Sequence, residues 1–243
     1  MQATARVHGL VARGFEHLRD VFRANFEIGE IGAYLCVYYR GQLAVDLWAG
    51  FADLSESCTR EWRRDTLINA YSCTKGVASA CLLLLVNRGL LDLHAPVSRY
   101  WPEFAANGKA DITVSQLVSH QAGLTSFDSP LDLKLIALAQ GVDLDSGREL
   151  PESDELKAAR AKYLSILANN TPKWKVQPGQ AFGYHAFSAG SSHLGELAGQ
   201  CTFSVFAGLY VGELIRLVDP KHRSLRVFFR EELGTPLSLD FFF

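Results

Sequence analysis

The sequence predicts an α+β fold, a helical section packed on an antiparallel sheet. Three observations point there. One stretch near the N-terminus alternates with period two around a tight turn. A long run of segments with helical spacing follows it. After the hairpin few strand candidates remain, although a two-stranded hairpin is not stable alone and needs further strands. The chain is read as one domain over residues 1–243.

The elements follow in order. Val7, Leu10, Val11, Leu18, Val21, Phe22 and Phe26 recur at helical spacing and predict a first helix over 7–26. Residues 33–49 predict a β-hairpin, since Leu43, Val45 and Leu47 alternate and Arg40-Gly41-Gln42 supplies the turn. A polar loop over 52–65 delivers the chain to "NAYSCTKG". From Thr74 to Asn87 the pattern is apolar nearly all round, which predicts a helix buried on every side and stopped at Gly89. Thr113 and Gln116 have capping-box spacing, and Gly123 is placed to end that helix. Ser153 caps a helix with Leu156, Ala159, Tyr163 and Leu167 on one face. "QPGQ" at 177–180 is a turn signal. A helix is expected over "LRVFF" at 225–229.

Composition excludes several classes. Apolar residues make up 48% and charged residues 21%, an ordinary globular balance. The net charge of −2 comes without any basic run to track a phosphate backbone, so nucleic acid is not an expected partner. The longest apolar run, Ala80 to Val86, is far shorter than the roughly 20 residues of a membrane span. Cys36, Cys58, Cys73, Cys81 and Cys201 are odd in number and lack CxxC spacing, which suggests free thiols rather than disulfides or a zinc site. His185 and His193 lie eight apart without a suitably spaced acidic or cysteine partner, so no metal is expected. No apolar leader opens the chain, and Glu16, Asp20, Glu27 and Glu30 do not suit a mitochondrial presequence. The expected location is the cytoplasm, with the mitochondrion as the alternative.

The chemistry centres on Ser72 and Lys75. A serine hydroxyl is a poor nucleophile at neutral pH and needs a base beside it. Residues three apart on a helix share a face, so Lys75 can reach the Ser72 oxygen. The positive end of a helix and apolar surroundings both disfavour an ammonium, which suits Lys75 to accept a proton. The same spacing fits a surface lysine beside an N-cap serine. Cys73 is a rival nucleophile, but it lies about 100° round the helix from Ser72 and reads better as a packed residue. His120 reads as a histidine ordering a turn rather than as a base.

"SCTK" before an apolar helix, then "ITVSQLVSHQAGL", then "PGQAFGYHA" resembles the serine β-lactamase and penicillin-binding-protein superfamily, in its class C β-lactamase-like branch of esterases and eukaryotic β-lactamase-related proteins. "YYRGQLAVDLWAGFAD" and "YWPEFAANGKADITV" are similar to that branch as well. The resemblance implies a β-lactamase/transpeptidase-like fold. It implies Ser72 as the acylated nucleophile, Lys75 as the motif lysine and Tyr184 as the tyrosine sharing the base role. It further implies hydrolysis of a small ester or amide without cofactor or metal. Tyr184-His185-Ala186 lacks the asparagine of the class C motif, which favours an esterase over a β-lactamase. The superfamily's third motif, a C-terminal strand that lines the pocket, has no match after Tyr184, so the resemblance implies an incomplete sheet with its C-terminal strands missing. Residues 188–207 match nothing in the branch and are expected to be an insertion or a non-family segment. The alternative is a catalytically impaired, truncated member acting as an interaction or scaffold protein. Self-association is expected through an open sheet edge and through "LDFFF", which has no following chain to bury it.

Overall fold

The computed structural model describes residues 6–53, 60–128, 131–174, 181, 183 and 209–243. Its contacts divide the chain into two compact units, Met1–Ile68 and Asn69–Phe243.

The first unit is built on a three-stranded antiparallel sheet of order β1-β3-β2, with β1 at His8–Val11, β2 at Gly32–Tyr39 and β3 at Gln42–Gly50. The hairpin expected over 33–49 is present. Its turn is tighter than the sequence suggests: Tyr39 already pairs with Gln42, leaving Arg40 and Gly41 as the two turn residues. Both have positive φ (50° and 76°), the backbone that matches the twist of a two-residue hairpin. The helix expected over 7–26 is corrected. Residues 8–11 form a strand, and only His17–Ala24 is α-helix, here α1. Val7 and Val11, four apart, suit either period, and pairing with β3 decides it, with Leu10 left on the exposed face. Gly9, at φ 100°, allows the close approach, because a Cβ there would lie 1.9 Å from the Asp46 carbonyl oxygen. β3 is the central strand. Ala44, Val45, Leu47 and Ala49 are buried and pack with Phe22 and Phe26 from the α1 region. Asp46, also buried, accepts hydrogen bonds from Tyr34 Oη and Arg64 Nε, both at 2.7 Å.

The second unit is helical: α2 Thr74–Asn87, α3 Val114–Val118, α4 Leu133–Ala139, α5 Asp154–Asn169, α6 Leu209–Val218 and α7 Leu225–Phe229. One core holds Leu82 and Leu85 of α2, Phe104, Leu124, Ile136 of α4, Tyr163 and Leu167 of α5, and Leu214 and Phe228 of the last helices. α2 ends as the sequence indicates. Gly89, at φ 70°, donates to Val86 O, and Leu90 N donates to Leu85 O, the paired bonds of a Schellman end. The helix is not buried on every side, however. Leu83 is 51% exposed, so the apolar run overstates its burial. The capping box of α3 is formed by Thr113 and Gln116. Gly123 does not end α3; the helix stops at Val118 and the chain turns at His120, which holds φ 63°. Ser153 caps α5 by accepting from Leu156 N, and Leu156, Ala159, Tyr163 and Leu167 form its buried face. The terminal aromatics are not all exposed as expected. Phe241 and Phe243 pack on Phe229 with ring centroids 5.4 and 5.3 Å away, while Phe242 stays 72% exposed. Residues 188–207 and the 177–180 turn lie outside the described residues.

Candidate active site

Ser72 sits in a single 3-10 turn, Tyr71–Cys73, that runs directly into α2. The turn is set by its backbone. Tyr71 has φ 44°, a left-handed conformation that a bulky residue rarely adopts. The Asn69 side-chain oxygen accepts from Tyr71 N at 3.0 Å, and Cys73 N donates to Ala70 O at 3.0 Å. These bonds hold the strained residue immediately before Ser72. Such strain persists only where the surroundings impose it, and it concentrates at functional sites.

Lys75 lies one turn on. Its Nζ donates to Ser72 Oγ at 3.4 Å, the long end of hydrogen-bond geometry. The Ser72 side is exposed, Lys75 is half-buried, and Thr74 between them is buried. The structure therefore brings two of the sequence-predicted residues together at the mouth of the apolar helix. Cys73 is exposed and is not part of that contact. Cys81, one layer deeper, is buried, and burial pushes its thiol up to about 12.

Tyr184 lies outside the described residues. Its neighbour Gly183 is described, and its N donates to His120 O at 3.0 Å. A Cβ on Gly183 would lie 2.6 Å from the Trp174 ring and 2.8 Å from Thr125, so only glycine fits that approach. The His120 imidazole is held below the usual histidine range, first by burial and then by the positive charge of Lys75. His120 thus shares the electrostatic neighbourhood of the Ser72–Lys75 pair. From sequence it reads only as a turn residue, and no local pattern announces that it feels the charge of Lys75. Asn69 and Tyr71 likewise passed without notice; "NAYS", an asparagine two residues before a tyrosine that precedes the serine, is the signal that was available. Among the described residues no cluster of His, Cys, Asp or Glu can hold a metal ion. No described helix is long and apolar enough to cross a membrane.

The model of the Beta-lactamase family matches residues 15–240, nearly the whole chain. The chain belongs to the Beta-lactamase family. This Beta-lactamase-family chain is 32% identical to the Esterase/beta-lactamase LipL of Mycobacterium tuberculosis over 209 residues, 86% of this chain and 38% of the relative. Among solved structures, a family VIII carboxylesterase matches with TM-score 0.68 and 37% identity, over 95% of this chain and 51% of that one. A penicillin-binding protein homolog from Caulobacter crescentus matches with TM-score 0.72 and 30% identity, over 97% of this chain and 52% of that one. The fold is thus β-lactamase/transpeptidase-like, and the sequence spans about half or less of the relatives it matches.

Proposed function

We propose that this chain carries the acyl-transfer centre of a serine hydrolase acting on a small ester, with Ser72 as nucleophile and Lys75 as base. The observation that carries the reading is the Lys75 Nζ to Ser72 Oγ contact of 3.4 Å at a helix start. A base within reach is what a serine hydroxyl requires. In the reaction, Ser72 Oγ bonds to the ester carbonyl carbon as its proton passes to Lys75. The tetrahedral intermediate collapses, the carbon–alkoxide bond breaks, and the alcohol leaves with a proton returned from the site. Water then attacks the acyl-serine, giving up a proton to the same base, and releases the acid and Ser72. Every group in these steps is a side chain or water. By the family resemblance Tyr184 shares the proton transfers with Lys75.

An ester is preferred to a β-lactam because Tyr184-His185-Ala186 lacks the class C asparagine. The carboxylesterase among its structural neighbours supports the same preference. The test is turnover of short-chain nitrophenyl esters and of a chromogenic cephalosporin by wild type and Ser72→Ala. Ester hydrolysis that vanishes in Ser72→Ala and exceeds cephalosporin hydrolysis is expected. Equal ester turnover by folded wild type and Ser72→Ala overturns the reading and favours the interaction role.

A further inference from the structure

Lys109 is fully buried, and the acyl-transfer chemistry makes no use of it. Its ammonium donates to Ala106 O and Asn170 O, both at 2.6 Å, and lies 5.5 Å from the centre of the Phe104 ring. Asn170 is the residue that closes α5, and Asn107 Nδ2 donates to the neighbouring Asn169 O at 2.6 Å. The 106–109 turn therefore caps the carbonyl end of α5 from far away in sequence, with a cation at the negative end of the helix dipole. Burial pushes Lys109 down to about 8, opposed by the charge of Asp128.

The side chain of Asn170 faces the other way and is fully engaged. Nδ2 donates to Ser126 O at 3.0 Å and to Tyr210 Oη at 3.1 Å, and Oδ1 accepts from Asp128 N at 3.0 Å. Asp128 reciprocates. Its carboxylate accepts from Thr171 N at 2.8 Å and pairs with Lys173 Nζ. Lys173 N in turn donates to Gly123 O at 2.8 Å, and a Cβ on Gly123 would lie 3.1 Å from Pro172. Segments 123–128 and 170–173 are thereby fastened side by side. The loop so fastened begins at His120, which feels the charge of Lys75 and whose carbonyl holds Gly183.

We propose that Lys109, Asn170 and Asp128 form a polar clamp that positions the 120–128 loop, and with it the His120 carbonyl that holds Gly183. This rests on the acyl-transfer reading and deepens it. None of the three touches the reacting atoms; they act as positioning residues.

The experiment compares wild type, Ser72→Ala, Asp128→Ala, Asp128→Asn and Lys109→Met, using a fluorophosphonate as the acylating probe and a nitrophenyl ester as substrate. Thermal unfolding is recorded alongside. Wild type labels at Ser72, and Ser72→Ala does not. Asp128→Ala, at a half-exposed position, is expected to label about tenfold or more slowly, with kcat lowered and KM kept. Asp128→Asn keeps an acceptor for Thr171 N and is expected to stay within about twofold of wild type, a rescue that loss of bulk stability does not predict. Lys109→Met is expected to slow labelling like Asp128→Ala wherever it folds. Wild-type labelling rates in Asp128→Ala overturn the clamp while leaving the Ser72 reading intact. Absence of Ser72 labelling in wild type overturns that reading and the clamp with it.

Discussion

Lys75→Arg separates a base from a mere positive charge. Arginine keeps a cation at the start of α2, but its guanidinium does not give up its proton in a protein and cannot accept one from Ser72. Lys75 is half-buried at an exposed helix mouth, so the longer side chain can extend toward solvent and the fold is expected to survive. The contact being tested is the 3.4 Å approach of Nζ to Ser72 Oγ. A positioned general base contributes roughly 10²–10⁴ in rate, equivalent to about 3–5 kcal/mol of barrier. Phosphonylation of Ser72 by a fluorophosphonate, followed by quenched time points, reads that step directly. Lys75→Arg and Lys75→Ala are expected to lose rate alike, by about the factor a base supplies. If Lys75→Arg labels at the wild-type rate while Lys75→Ala does not, the lysine provides charge only and the proton-transfer role is wrong.

Three further outcomes are expected. Tyr71 holds φ 44°, so Tyr71→Val, β-branched in a left-handed conformation, is expected to cost about 1–3 kcal/mol and slow Ser72 labelling, while Tyr71→Gly labels normally; equal loss in both implicates the phenol instead of the backbone. Asp128 is held at about 2 by its bonds to Lys173 and Thr171, below its ordinary 3.8, so its contribution to stability is full above that ordinary value and lost as pH falls from there through 2; acid unfolding of Asp128→Ala is expected to lack this component. Thiol alkylation of the folded protein, mapped by peptide mass, is expected to modify Cys36 and Cys73 and spare Cys81, and rapid modification of Cys81 contradicts its buried placement.

What could be read from the sequence was local. The hairpin was legible because period-two alternation and the Arg40-Gly41 turn lie within a few residues of one another. The start of α2, its Schellman end at Gly89, the Thr113–Gln116 capping box and the Ser153 cap were legible for the same reason. Strand β1 was not, because Val7 and Val11 suit either period until β3 pairs with that segment. The exposed side of α2 is hidden by a run that is apolar all round, and α4, capped by Asp132, is too short for its largely apolar "LKLIALA" to show a helical period. The Ser72–Lys75 pair follows from a three-residue spacing on one helix face. The Lys109–Asn170–Asp128 clamp does not, since Lys109 and Asn170 meet across a separation of 61 residues and a buried lysine has no local signature. The bond from Gly183 N to the His120 carbonyl is long-range in the same way.

The proposed chemistry stands on Ser72 being the residue acylated. The most direct measurement is peptide mapping by mass spectrometry after reaction of the folded protein with a fluorophosphonate. A single adduct is expected on the peptide carrying Ser72, absent from Ser72→Ala and strongly reduced in Lys75→Arg. An adduct on another residue, or one that persists at full level in Ser72→Ala, would contradict it.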